Sequence, residues 1–175
     1  MSLETFLSKN RSRIIKKWRD TIVETYPEET RRFFKREKDP FSNPVGTIID
    51  SQVEILFDEL IKGDNVEKIS ACLDKIIRIR AVQDFEPSHA VGFVLELKRL
   101  IKDALAGEES PNGLLTELET LEKRIDKTTL LAFDIYSKCR RKIYEIRVNE
   151  VKNQVGRLLE RANLTVEIPE EKPEL

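Results

Sequence analysis

Asn43-Pro44-Val45-Gly46-Thr47-Ile48-Ile49-Asp50, running on to Leu60-Ile61-Lys62-Gly63, is a helix with both of its ends written into the sequence. Asn43 carries an N-capping side chain, and Pro44 suits the first helical position, where an N–H would find no partner anyway. Val45, Ile48, Ile49, Gln52, Leu56 and Leu60 then recur at the spacing of one buried helix face. Gly63 reads as the stop, expected in the left-handed conformation common after a helix. No stretch elsewhere alternates apolar and polar residues for long enough to form a sheet. Outward from this segment, every element is therefore expected to be helical.

Upstream, Leu3, Phe6 and Leu7 predict a short opening helix. Ile14, Ile15, Trp18, Ile22 and Val23 make a second stripe that stops near Tyr26-Pro27. Pro27 begins a short helix through Phe33 and Phe34, with Glu28 and Glu29 at its positive end. Lys38 to Asn43 is a loop. Downstream, Asp64-Asn65-Val66-Glu67 reads as a capping box. The helix behind it has an apolar face of Val66, Ile69, Cys72, Leu73, Ile76 and Ile77 and ends near Gln83-Asp84. Pro87 opens another with Ala90, Val91, Val94, Leu97, Ile101 and Leu105, closed by Gly107. Gly107 to Gly113 is a linker.

From Leu114 to about Asn163 no proline appears. One stripe comprises Leu118, Leu121, Ile125, Ala132, Tyr136, Cys139 and Ile143; a second, shifted in phase, comprises Val148, Val151, Val155, Leu158 and Ala162. A continuous helix of roughly 50 residues would be about 75 Å long. A compact domain of this size is roughly 35 to 45 Å across. Either the helix breaks near Arg147 and folds back, or its last turns need a partner helix. The second is the expectation: a homodimer whose interface uses Val148, Val151, Val155 and Leu158. Residues 165–175, with two prolines and four glutamates, are expected to be a disordered acidic tail. The predicted fold class is all-α: a single bundle of six or seven helices over residues 1–164, ending in a long C-terminal helix from about residue 114.

Lysine plus arginine number 31 and aspartate plus glutamate 32, for a net charge of −1. Such balance gives no field to draw nucleic acid or anionic lipid. The longest apolar run is too short to span a bilayer, so no membrane insertion is expected. No secretory signal is legible at the N-terminus. Cys72 and Cys139 stand alone, outside metal spacings, as suits a reducing cytoplasm. Lys9, Arg11, Arg13, Lys16, Lys17 and the Lys138 to Lys142 run read as solvated faces balanced by acids.

His89 is the sole histidine. A single axial histidine can hold haem, but this one sits in the first turn after Pro87, and no cofactor, metal site or catalytic residue is expected. The denser cluster is Arg78, Arg80, Gln83 and Asp84, beside the Arg36 to Asp39 turn. Arg80 and Asp84 are four apart and can pair along one helix face, while Arg78 lies on another. Charges so close to apolar residues need partners if buried. Arg36, Asp39, Arg78, Arg80, Asp84 and His89 thus make either a structural polar network or a small-molecule or anion site.

Two segments carry more than local structure. One is Arg36-Glu37-Lys38-Asp39-Pro40-Phe41-Ser42-Asn43-Pro44-Val45-Gly46. The other is Arg78-Ile79-Arg80-Ala81-Val82-Gln83-Asp84-Phe85-Glu86-Pro87-Ser88-His89-Ala90-Val91-Gly92-Phe93. Together with Trp18 and Thr25-Tyr26-Pro27, they resemble the N-terminal domain of RsbRD, an RsbR-type co-antagonist of the bacterial stressosome. The resemblance covers Leu3 to Leu105 well and the last helix by its character. It implies an all-α sensor domain, with a globin-like, haem-free arrangement as in RsbR relatives. It also implies dimerisation and a signal passed along the terminal helix to an output module. No STAS or kinase domain follows before Leu175, so the expected output partner is a separate protein. The function implied is a non-catalytic, cytoplasmic sensory or regulatory module acting through protein contacts. The alternative is a structural or assembly accessory of a larger complex that senses no ligand. An enzyme centred on Arg80 and Asp84 would lack a nucleophile or metal constellation.

Overall fold

A computed structural model describes residues 2–63, 65–106, 114–162 and 164, and among these residues every regular element is a helix. They are α1 (Leu3–Glu24), α2 (Glu28–Arg36), α3 (Pro44–Lys62), α4 (Val66–Val82), α5 (Pro87–Val91), α6 (Phe93–Leu105) and α7 (Leu115–Arg161). The all-α architecture with a long C-terminal helix is the one the periodicity predicts. Asp64, the linker from Gly107 to Gly113 and the acidic tail at 165–175 lie outside the described residues.

Several boundaries differ from expectation, each for a local reason. Leu3, Phe6 and Leu7 do not form a separate helix, because α1 runs unbroken through the polar stretch at Asn10 to Arg13. The helix expected from Pro87 to Leu105 is divided at Gly92, giving α5 and α6. Asn65, not Asp64, caps α4, its side chain accepting from Lys68 N at 3.0 Å. Val66, placed in the core by spacing, is instead 61% exposed at the first position of that helix. Gly63 is extended, not left-handed. The break near Arg147 is absent, for α7 passes that residue as one helix.

The chain divides into two units, Met1–Cys139 and Arg140–Leu175. In the first, α3 packs chiefly on α4, and α1 lies against both α6 and α3. Trp18, Ile22, Val53, Leu56, Leu60, Leu73, Ile76, Ile77, Val94 and Ile125 are essentially without exposure. Polar fastenings flank this core. Arg11 spans to Asp58 at 2.8 Å and Arg19 to Asp50, joining α1 to α3. The first part of α7 is held by Leu3 N donating to Glu117 at 2.8 Å, and by Arg124 donating to the Leu60 carbonyl at 2.5 Å. Lys98–Asp126 and Lys102–Glu122 pair it with α6 at 2.5 and 2.7 Å. Of the basic cluster read as a solvated face, Arg11 instead goes into helix-to-helix pairing, as does Arg19 just beyond it.

The second unit, by itself, is the helical segment from Arg140 to Arg161. Its side chains are mostly exposed, with Arg140 resting on the Tyr144 ring 4.9 Å away and Lys142 near Glu145 at 3.5 Å.

Cys72 is buried and Cys139 half-buried, and burial pushes both thiols above their ordinary range. A protonated thiol is a slow nucleophile. In the native protein at pH 8, Ellman's reagent should therefore modify Cys139 first and Cys72 only as the protein opens. The same burial sets the sign of a pH effect. In the unfolded chain thiols ionise near about pH 8.5, whereas the folded state keeps its protons to higher pH. The folded state then binds more protons, so stability should fall as pH rises above about 8.5. Cys72→Ala should flatten that fall in a urea titration series.

Candidate functional site

The register of α4 places an arginine in the core. Ile69, Cys72, Leu73, Ile76, Ile77 and Ala81 line its buried face, and Arg80 falls on the same face with no exposure at all. The guanidinium sits among three aromatic rings, with Cζ 5.6 Å from the Tyr26 centroid, 4.6 Å from Phe85 and 5.5 Å from Phe93. Tyr26 is edge-on to Phe85 at 5.0 Å and to Phe34 at 5.1 Å, which continues the aromatic wall. Nη2 donates to Thr25 Oγ1. Nε and Nη1 are buried with no acceptor among the described residues, and Tyr26 Oη is buried with no hydrogen-bond partner among them. Burial lowers the Arg80 pKa, with the Tyr26 hydroxyl opposing, and burial raises the Tyr26 pKa above the ordinary phenol value. Tyr26 therefore stays protonated and able to donate.

Two of the three rings are anchored through their backbone. Phe93, at the start of α6, accepts from Trp18 Nε1 through its carbonyl at 2.6 Å. Phe85 belongs to the turn between α4 and α5, and its carbonyl accepts from Tyr136 Oη on α7. Phe85 N in turn donates to the Arg80 carbonyl at 3.2 Å. Asp84 lets the turn reverse by adopting φ 62°, a conformation aspartate tolerates better than most residues. α1, α4, α6 and α7 thus all contribute to one buried charge.

Of the six predicted site residues, Arg80 alone is buried; Arg36, Asp39, Arg78, Asp84 and His89 are exposed. The expected Arg80–Asp84 helical pair does not form, because α4 ends at Val82 and Asp84 lies in the turn beyond it. Arg78 pairs with Asp74 at 3.0 Å, one turn back along α4. Asp39 closes its own loop, accepting from Ser42 N and Oγ, both at 2.9 Å. His89 is on the short α5. Sequence reasoning missed Phe85 and Phe93 as partners of Arg80. The available signal was Arg80 itself, at the next core position after Ile76 and Ile77.

A second concavity, of about 520 Å³, lies between the start of α4 and α7. Val66, Ile69 and Leu131 give it an apolar floor, and Lys123 and Lys127 a basic rim. No group of three or more metal-ligating side chains occurs among the described residues. Nor is any helix among them long and apolar enough to cross a membrane.

The buried aromatic chamber in an all-α bundle defines a helical domain built around a central polar element. Residues 12–151 match the family described as the RsbT co-antagonist protein rsbRD N-terminal domain, and the chain belongs to it. That span includes the whole Arg80 chamber, from Trp18 to Tyr136. The family is one of regulatory sensor domains. No curated protein matches the chain, and no solved structure does.

Proposed function

We propose that this protein is a non-catalytic, cytoplasmic sensory module that takes its input in the helical unit and acts through protein contacts made by the end of α7. Membership in the RsbRD N-terminal domain family supports a regulatory role. The observation that carries the contact mechanism is the exposed seam on α7. Val148 is 51% exposed, Val151 58%, Val155 46% and Leu158 63%. They repeat in 3-4 alternation, the pattern of positions a and d in a two-stranded coiled coil. Val148 and Val155 fall at a and Val151 and Leu158 at d, and β-branched residues at a suit pairing with a second copy of the same helix. Fully burying one such side chain is worth roughly 1.5 to 3 kcal/mol, so four per chain provide ample driving force. A two-fold homodimer is the commonest closed arrangement for such a self-complementary strip.

Val151→Glu with Val155→Glu tests this reading. The unmodified protein should be dimeric at tens of micromolar by light scattering. The double variant should be a folded monomer with unchanged far-ultraviolet circular dichroism. A monomeric unmodified protein would remove the dimer from the proposal.

A further inference from the structure

We propose that Arg80 and Tyr26 form the receptor for a compact monovalent anion, of the size of nitrate, formate or a halide, and that this anion is the input of the sensory module proposed above. Beside the Nη2 bond to Thr25 Oγ1, three donors at the site lack an acceptor among the described residues. Arg80 Nε and Nη1 and Tyr26 Oη are all buried and meet no acceptor among the described residues. The rings of Tyr26, Phe85 and Phe93 offset part of the cation's lost hydration. Ring faces do not accept hydrogen bonds as an oxygen does, and a buried N–H left without a partner is costly. An apolar residue of similar volume would fill this core position more cheaply. The arrangement is therefore built for something that accepts hydrogen bonds and carries negative charge.

Charge and size narrow the ligand. Among the described residues Arg80 is the one cation against these rings, and none of its partners is a carboxylate. One negative charge balances it; sulfate or doubly ionised phosphate would leave an uncompensated buried charge, at high cost. Aromatic walls on three sides also favour weakly hydrated ions over strongly hydrated ones. Thr25 is exposed and Phe85 half-buried, so the guanidinium lies close beneath the surface at the turn from Gln83 to Glu86. That turn hands its Phe85 carbonyl to Tyr136 of α7, which places occupancy of the chamber one hydrogen bond from the long helix.

The test uses the full-length protein and thermal unfolding at constant ionic strength. Sodium nitrate, formate and chloride are titrated separately against sodium sulfate as the balancing salt. At least one monovalent anion should raise the melting temperature saturably, by about 5 to 11 °C at a hundredfold excess over its Kd. Arg80→Met should fold, melt at or above the anion-free unmodified protein, and show no saturable shift. Tyr26→Phe, which keeps the ring and the charge, should weaken the apparent Kd about tenfold. If Arg80→Met fails to fold, Tyr26→Phe decides: an unchanged Kd overturns the site. Equal shifts in the unmodified protein and Arg80→Met, or no saturable shift with any anion, also overturn it. Saturable binding that leaves the monomer–dimer balance unmoved upholds the anion site and defeats the sensory reading on which its role as input rests.

Discussion

Trp18→Ala should be the most damaging single truncation in the protein, lowering stability by about 3 to 5 kcal/mol. The indole is fully buried between α1 and α6, stacked obliquely on Phe93 with ring centroids 6.1 Å apart. Removing it opens a large cavity and takes the donor from the Phe93 carbonyl, 2.6 Å from Nε1. For a chain of this length each kcal/mol moves the melting temperature by roughly 2 to 4 °C, so a drop of about 6 to 20 °C is expected by calorimetry. Trp18→Phe separates the two losses. It retains most of the apolar volume but not the N–H, and should cost about 1 to 3 kcal/mol. Should Trp18→Ala melt within about 2 °C of the unmodified protein, the α1–α6 junction described above is wrong.

Asn43→Ala should cost about 2 kcal/mol, from the loss of an N-cap and of a buried hydrogen bond together. Asn43 Oδ1 accepts from Gly46 N at 2.9 Å, while Nδ2 donates back to the Glu37 carbonyl at 3.0 Å. One side chain thereby starts α3 and fastens the end of α2 to it. Gly46 leaves room for this: a Cβ there would stand 2.6 Å from Asn43 Oδ1 and 2.8 Å from Cγ. Gly46→Ala should therefore displace the cap and cost nearly as much as Asn43→Ala. In the Asn43→Ala background the same substitution should be neutral or favourable by up to about 1 kcal/mol, the helix preference of alanine over glycine. Strong non-additivity in a double-mutant cycle is the result to look for. Additive costs would show that the two residues do not share one cap.

Asn43 also shows why the helices could be read from the sequence. A capping residue, a proline at the first position and a 3-4 repeat all act within a few residues, so neighbours in the chain suffice to reveal them. α3 and α4 follow that logic, while the 3-4 repeats of α7 showed a helix but left open whether it continued past Arg147. Gly92 and Gly63 resisted it, because whether a glycine interrupts, bends or merely follows a helix depends on what packs around it. The site was legible in part. The apolar face legible in α4 ended at Ile77, but Arg80 and the turn after it stood out as dense mixed chemistry. Its partners did not, since Thr25 and Tyr26 lie 55 and 54 residues away in sequence and meet it only through tertiary packing. The i,i+4 rule suggested Asp84 instead. That rule holds only while the helix lasts, and α4 stops two residues short of Asp84.

The chain contains one tryptophan, and the fold puts it against Phe93, itself a wall of the arginine chamber. Fluorescence excited at the red edge of protein absorption therefore originates from one place, with a single side chain, Phe93, between it and the guanidinium. Every photon reports on the same junction, with no second indole to dilute the signal. The protein thus carries its own optical gauge of the chamber, readable without a label.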